Sequence, residues 1–452
     1  MNDALIYGGV RSPRGRARPG GALAGVAPHD LLSQLYAGLC ERSALQPARV
    51  GEVILGCVTQ HGEQAANIAR TSLLYAGWPH TVPGMTVHRF CSSSIDAVAL
   101  AAMKINVGAM DSAVAGGVEM MSRVPMLSDG AKVFADGDFA RRCRSPLMGS
   151  GADLIASLEG VSREEADALA LKSQQRAAAA REAGCFDASI LPVSTPEGIA
   201  DQEECIRPGT TAESLAALSP AFAELGDSGV DAFMVAEYPE LQEIRHIHTA
   251  GNSPAMADAA ALLLLGDRSF GATLSAAPRA RVAQSVTTGE DSLQVVSGCI
   301  RATQVLLEKT GLAPEDVDLF EIHEAFAATS VVAQRRLGLG DDKYNVNGGC
   351  IALGHPMGAT GAIMTLTLLD ELERRGRRIG QRPADRPRPG LRSDVSEGHK
   401  KDTRGCLFHG RRCPVVRLAQ ASPTLVRLPG VVVVLRQRLR SLPGDLSDHR
   451  PP

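Results

Sequence analysis

The chain is poor in aromatic residues, has no paired-cysteine motif and has no long apolar run. Each shortage narrows what it can be. Aromatics are 4% of 452 residues, with one Trp, while Gly numbers 46. That balance suits an α/β protein with many tight strand-to-helix turns better than an all-β one. Ten cysteines are scattered with no C-x-x-C pair, so reduced thiols are expected rather than a disulfide framework. The start, Met-Asn-Asp-Ala-Leu-Ile-Tyr, lacks a basic region followed by an apolar stretch, and reads as no export signal. Nothing approaches the roughly 20 apolar residues of a membrane span; near the end, Val431–Leu435 is the longest aliphatic run. These absences predict a soluble cytoplasmic protein with no membrane partner.

What is present begins with an uneven charge. The net charge is −3. Residues 377–452 carry 15 Arg and 2 Lys against 6 acids, leaving −14 on the first 376. A nucleic-acid binder needs its basic residues organised on a folded surface, and that pattern is missing here. The length fits two or three packed units.

An internal repeat organises the chain. Leu45-x-Pro47-x-x-Val50-x-x-Val53 follows a helix-like stretch at 31–41, and Leu312-x-Pro314-x-x-Val317-x-x-Phe320 follows another at 300–309, an offset of 267 residues. Each predicts a Pro-opened turn before an apolar strand, at 52–57 and 318–322. Downstream, a strand at 85–90 leads into a helix at 92–105 with Ile95, Val98, Ala102 and Ile105 on one face. In the later half a strand at 344–346 leads through Asn-Gly-Gly to a helix at about 358–374. Ser112–Gly117 reads as a buried strand ending in glycines. Its counterpart should follow residue 376, yet residues 377–389 hold three prolines and five arginines, which cannot form a central strand. Residues 120–249 read as an inserted domain, with a helix at 163–183 opened by a Ser162-x-x-Glu165 capping box.

Three stretches carry chemistry. Cys91 precedes a helix that starts Ser-Ser-Ser, where unpaired N–H groups and the helix dipole are expected to favour thiolate; a buried structural cysteine is the competing reading. Asn347-Gly-Gly-Cys-Ile-Ala-Leu-Gly-His355-Pro-x-Gly358-Ala-Thr-Gly361 sets a His on a glycine-rich turn at a helix start, suited to act as base to a neighbouring thiol. It lacks the G-x-G-x-x-G spacing of a dinucleotide loop. His323-Glu-Ala-Phe326 closes a strand, where side chains face the crevice of an α/β sheet.

Together these stretches resemble the thiolase family. Val87-His-Arg-Phe-Cys91-Ser-Ser is similar to its nucleophile motif, His323-Glu-Ala-Phe326 to its (Asn/His)-Glu-Ala-Phe motif and the run 347–361 to its Gly-His-Pro motif. Gly116-Gly-Val-Glu119-x-Met121-Ser and His248-Thr-Ala-Gly-Asn252 extend the resemblance, which covers about residues 2–376. It implies two duplicated βαβαβαββ halves (1–119 and 250–376) in five αβαβα layers, with 120–249 as a loop domain on the coenzyme A side. It also implies homodimers or homotetramers, no permanently bound cofactor, no metal, and acyl-CoA and CoA as partners. By the same resemblance Cys91 is acylated and His355 takes its proton. His323 positions an oxyanion-hole water, and the Cys91 amide supports the acyl carbonyl. Met148, Asn252 and Ser253 lie beside coenzyme A, and Asn347 and Gly348 support the oxyanion site.

The sequence departs from the family at several points. Pro254 stands where many members have Ser, Leu147 where some have His, and Ser94 where Gly is usual. The closing Cys-x-Gly-Gly-Gly loop is missing: Cys406 is followed by Leu-Phe-His-Gly and Cys413 by Pro-Val-Val. Residues 377–452 read as an Arg/Pro-rich tail, disordered or translated out of frame. Cys406, His409 and Cys413 offer three soft ligands but no fourth for zinc. The expected chain is therefore short of a strand, poorly stable and nearly inactive in thiolysis. A non-catalytic acyl-CoA-binding or subunit-pairing protein is the alternative to a working enzyme.

Overall fold

In the computed structural model, residues 2–274 and 276–379 are described, together with the backbone of strands Val415–Ala421 and Val431–Arg436. The first half contributes strand β1 (Leu5–Arg11), helix α1 (Pro28–Ser43), β2 (Glu52–Gly56), α2 (Ile68–Tyr75), β3 (Gly84–Val87), α3 (Ser93–Asn106) and β4 (Ser112–Met120). After helices α4 (Met148–Glu159) and α5 (Arg163–Glu182) come β5 (Ala257–Gly266) and β6 (Ala280–Thr288). The later half continues with α6 (Gly298–Thr310), β7 (Leu319–Ile322), α7 (Ala327–Leu337), α8 (Thr360–Ile379), β8 (Val415–Ala421) and β9 (Val431–Arg436).

The repeat is visible in three dimensions. Pro47 and Pro314 each open a one-turn 3-10 helix, Pro47–Arg49 and Pro314–Asp316, that feeds β2 or β7. The Ser162 capping box forms in both directions at the start of α5. Strand β5 alternates faces, as a period of two requires. Its Leu262 and Leu264 pack with α1 and α2, whereas Leu263 and Leu265 pack with α3 and α8. Helices α6 and α7 cover Val286, Phe320 and Ile322 on the far side. The layers therefore run α1/α2, first-half strands, α3/α8, second-half strands, α6/α7. Helix α3 lies in the middle layer, so it buries Ala97, Ala99 and Ala101 as well as the single face expected from its spacing. The fold is a five-layered α/β architecture, its strands curled around a central helix pair.

Three expectations need correction. The stretch 344–346 is no strand: Tyr344 makes one bridge to Phe320, and Asn345 takes a left-handed φ of 40°. Its side chain instead accepts from the Ile322 amide and donates to the Ile322 carbonyl, both at 2.8 Å, replacing ladder bonds. Strand β3 stops at Val87, because Phe90 also takes a positive φ, 46°.

The third correction concerns the expected missing strand. The slot between β6 and β7 is filled, from segments that begin 26 and 42 residues beyond the Arg/Pro run. These are the β-branched stretches Val415-Val-Arg-Leu-Ala-Gln-Ala421 and Val431-Val-Val-Val-Leu-Arg436, a composition that favours extended backbone. The order is β3-β2-β4-β5-β1 in the first half and β7-β9-β8-β6 in the second, joined by a short antiparallel contact between β1 and β6. In the first half β4 runs parallel to β2 and β5 lies antiparallel between β4 and β1. In the second, β8 runs parallel to β6 and β9 is antiparallel to β7. The two inner strands have exchanged places relative to the first half. The tail segments expected to be disordered or to hold zinc ligands, including Cys406, His409 and Cys413, lie outside the described residues.

The insertion is tied to β1 by buried charge. Glu203 pairs with Arg11 at 2.7 Å and Arg14 at 2.8 Å. Desolvation pushes its carboxyl up, but the two guanidinium groups outweigh that and hold it down, at about 2.

Ending the chain after Ile379 removes β8 and β9 and leaves the inward edges of β6 and β7 unpaired. Unmatched backbone groups and exposed apolar surface should lower the melting temperature by about 10 °C or more. Differential scanning fluorimetry of the full and shortened chains checks this; equal midpoints would show that the two strands contribute nothing to the sheet.

Candidate active site

Cys91, His323 and His355 come from three segments that end at one place. Cys91 follows the Phe90 turn and precedes α3, His323 follows β7, and His355 precedes α8. Two glycines let these segments converge. A Cβ on Gly56 would collide with the Ser94 backbone, so only glycine lets the end of β2 approach the start of α3. Gly354 takes a φ of 90°, open to glycine and strained for other residues, and turns the chain into His355. The His355 amide then donates to the Ala255 carbonyl at 2.8 Å.

Sγ of Cys91 lies 2.9 Å from Nε2 of His355, and Nδ1 of His355 lies 2.8 Å from Oγ1 of Thr360. The His323 ring sits 4.3 Å from that of His355, centroid to centroid, and its Nδ1 is 3.2 Å from Sγ of Cys350. Cys91 and His323 are buried, and His355 is partly so. The thiol and one ring nitrogen of each histidine lie within 4.8 Å of one another. They face a cavity of about 240 Å³ whose other walls include Met121, Met126, Leu127, Phe222, Phe326 and Met357.

Electrostatics here differ from the helix-start expectation. Burial pushes the Cys91 thiol up to about 12, with the Glu119 carboxylate adding to it. Burial also drives His355 well below its ordinary value and His323 down to about 3. The first amides of α3 are already committed, Ser92 to the Arg89 carbonyl at 3.2 Å and Ser93 to that of Phe90 at 3.0 Å. They are not free to stabilise a thiolate, so desolvation decides. The resting pair is a thiol hydrogen-bonded to a neutral imidazole.

A buried carboxylate holds the site together. Glu119, at the end of β4, accepts from the amides of Val58 (2.9 Å), Thr59 (3.0 Å) and Gly358 (2.9 Å) and from the Gln64 side chain (2.9 Å). It thereby fastens the His355 turn to the first half. Asp153 in α4 accepts from His248 Nδ1 at 2.6 Å and from the amides of Ile247 and His248. Nε2 of His248 in turn accepts from the Ala328 amide, behind Phe326. Ser94 accepts from the Ala362 amide at 2.9 Å and so caps α8, a bond that Gly could not make.

The remaining sequence candidates divide. Met148 and Ser253 line the cavity, as do Leu147 and Pro254. Asn252 lies behind the wall, donating to Asp167 at 2.8 Å and to the Ile247 carbonyl. Asn347 donates to Glu371 at 3.2 Å, and Gly348 packs against α5 at Ser173 and Ala177. Neither lines the cavity, and both brace the loop that carries Cys350. Sequence reasoning missed Asp153, Thr360 and the Phe90 turn, none of which has a local signal.

Residues 4–232 match the family model described as thiolase, N-terminal domain, and residues 276–383 match thiolase, C-terminal domain. The chain belongs to the thiolase family. It is 37% identical over 397 residues to a 3-ketoacyl-CoA thiolase of Bacillus subtilis, covering 84% of this chain and 95% of that protein. It is 38% identical over 403 residues to a β-ketoadipyl-CoA thiolase of Pseudomonas putida, with the same coverage. A crystal structure of the Bacillus anthracis acetyl-CoA acetyltransferase superposes with a TM-score of 0.72 at 31% identity, over 96% of this chain and 98% of that one. No helix among the described residues is long and apolar enough to cross a membrane.

The neutral pair has a signed pH consequence. Because His355 is displaced downward, its basic form persists as pH falls below about 6.5, and acylation of Cys91 should change less than about twofold between pH 8 and pH 6. Because Cys91 is displaced upward, its alkylation by iodoacetamide should keep rising to pH 9 without a plateau. Peptide mass analysis of timed reactions measures both. An alkylation midpoint below pH 8 would mean that a thiolate is present at rest.

Proposed function

We propose that this thiolase transfers acyl groups between CoA thioesters through an acyl-enzyme on Cys91, acting in 3-ketoacyl-CoA thiolysis at a rate lowered by the absence of a closing Cys-x-Gly-Gly motif from the sequence. The observation that carries the reading is the 2.9 Å contact between Cys91 Sγ and His355 Nε2 at the wall of an apolar cavity. His355 takes the thiol proton as sulfur attacks the 3-keto carbon. The bond between C2 and C3 then breaks, and the acetyl-CoA enolate leaves and collects that proton from His355. The acyl group stays on Cys91 until the thiol of a second CoA, deprotonated by His355, attacks its carbonyl and releases the shortened acyl-CoA. Histidine N–H groups beside the reacting carbonyl stabilise the developing oxyanion. The substrates are the CoA thioesters themselves, and none of these steps calls for a resident cofactor or metal. Met148 and Ser253 are placed to border the incoming thioester.

Degradative chain shortening is favoured over acetoacetyl-CoA formation by the cavity's apolar, methionine-rich wall, which suits acyl groups longer than acetyl. The first relatives described above are named for 3-ketoacyl and β-ketoadipyl substrates. We read the outer edge of β3 as the meeting line of two copies. Among the described residues no strand pairs with its outer edge, and Leu74 and Tyr75 of α2, Met103 of α3 and Val107 just after α3 are exposed apolar groups. We place the protein in the cytoplasm.

Incubation with a 3-ketoacyl-CoA should leave an acyl group on Cys91, and Cys91→Ser should leave none. His355→Ala should slow acylation by about 10² to 10⁴ with an unchanged melting curve. Acylation at Cys350 instead would overturn the assignment. An acyl-enzyme that forms but never passes its acyl group to CoA would favour the non-catalytic acyl-CoA-binding reading. Light scattering should give twice the chain mass of 47.5 kDa, and a monomer would remove the β3 pairing.

A further inference from the structure

His323 and His355 sit side by side, and their outer nitrogens have different partners. His355 is bounded on both sides. With the Cys91 thiol donating to Nε2, Nδ1 carries the ring proton and donates it to Thr360. His323 has a described partner on one nitrogen only, the Cys350 thiol at Nδ1, 3.2 Å away. Cys350 is buried, 3% exposed, at the start of the short helix Cys350–Leu353.

Hydrogen accounting favours the thiol as the donor in that bond. If His323 donated from Nδ1, the buried Cys350 S–H, a weak donor, would have no acceptor among the described hydrogen bonds. If the thiol donates, its hydrogen and the imidazole lone pair satisfy each other, and the ring proton of His323 lies on Nε2. Burial keeps both groups neutral, pushing the thiol well up and the imidazole down to about 3, so each retains a single mobile proton at neutral pH.

We propose that Cys350 is a positioning residue that fixes His323 as the Nε2–H tautomer, so that His323 presents an N–H to the reacting carbonyl oxygen. The two neighbouring histidines then hold opposite tautomers. His355 offers a lone pair to the thiol, and His323 offers a hydrogen to the oxygen. One serves as base and the other as oxyanion donor, though both are neutral imidazoles about 4 Å apart. The loop that sets Cys350 is itself anchored. The Gly349 amide donates to Ser173 at 3.0 Å, Ser173 donates to Glu324 at 2.8 Å, and the Ile351 amide donates to Glu324 at 3.2 Å. This inference rests on the thiolase reading of the site for its consequence in turnover, but not for the tautomer itself.

The test separates the two. Nitrogen-15 NMR of the full-length protein labelled at histidine, with the His323 signal assigned through His323→Gln, reports which ring nitrogen is protonated in the resting protein. The proposal expects protonation on Nε2 in the unaltered protein and in Cys350→Ser, whose hydroxyl can donate in place of the thiol. In Cys350→Ala it expects a mixture of tautomers. In kinetics, Cys350→Ala should lower kcat for thiolysis by about tenfold or more, below the roughly 10²- to 10³-fold loss of a whole oxyanion donor. Cys350→Ser should restore most of it, with Cys91 alkylation unchanged in both. A resting His323 protonated on Nδ1, or a Cys350→Ala protein with unaltered tautomer and kcat, would overturn the proposal. Nε2 protonation in a protein that forms no acyl-enzyme would leave the tautomer assignment standing and remove the thiolase mechanism instead.

Discussion

The site depends on a carboxylate that takes no part in the chemistry. Glu119 lies fully buried at the end of β4 and collects three backbone amides and one side-chain amide, from the segment after β2 and from the turn after His355. A buried carboxylate is tolerable only where donors replace its lost water, and here the donors come from both halves of the duplicated fold. The bond from Gly358 is what brings His355 to the start of α3. Glu119 also has an electrostatic cost, because its charge helps push the Cys91 thiol upward. The structure accepts a less acidic thiol at Cys91 in return for a fixed imidazole at His355.

That exchange explains why a helix start does not yield a thiolate here. A helix end contributes about 0.3 to 1 kcal/mol at an exposed position, while full burial of an ionised group can displace its titration by about 3 to 5 pH units. The first amides of α3 are occupied by the Arg89 and Phe90 carbonyls, through a turn that needs Phe90 in a left-handed conformation. Such backbone is unfavourable for a bulky residue and persists only where its surroundings enforce it. The consequence is a site whose burial favours a protonated Cys91 and a neutral His355.

The second half shows how a duplicated framework accommodates a changed end. The Arg/Pro run after α8 cannot enter a sheet, and reading onward from it suggests a missing strand. Two later segments rich in Val supply the backbone, but in exchanged order and with reversed pairing toward β7. Strand slots between packed helix layers accept any extended apolar segment that saturates the neighbouring edges. Which segment fills which slot is a matter of tertiary competition. The aliphatic run Val431–Leu435 is apolar without saying which edge it joins.

From the residues alone it was possible to read the duplicated α/β framework, the Pro47 and Pro314 turns, the Ser162 cap and the three motifs that carry Cys91, His323 and His355. These are local properties: a period of two or 3.6, a capping pattern, a glycine-rich turn. The ionisation of the site was not legible, because it depends on how completely three distant segments exclude water. Nor were the roles of Glu119, Thr360 and Cys350, since a hydrogen bond across 239 residues, or between two motifs, leaves no spacing to detect. Asn252, Asn347 and Gly348 belong to recognisable motifs, yet the fold turns them away from the cavity to brace loops. Sequence determined which chemical groups were available and on which kind of element each would sit. Only the packing of two half-sheets around α3 and α8 decided which groups meet, because burial and contact are properties of the whole assembly and not of any segment.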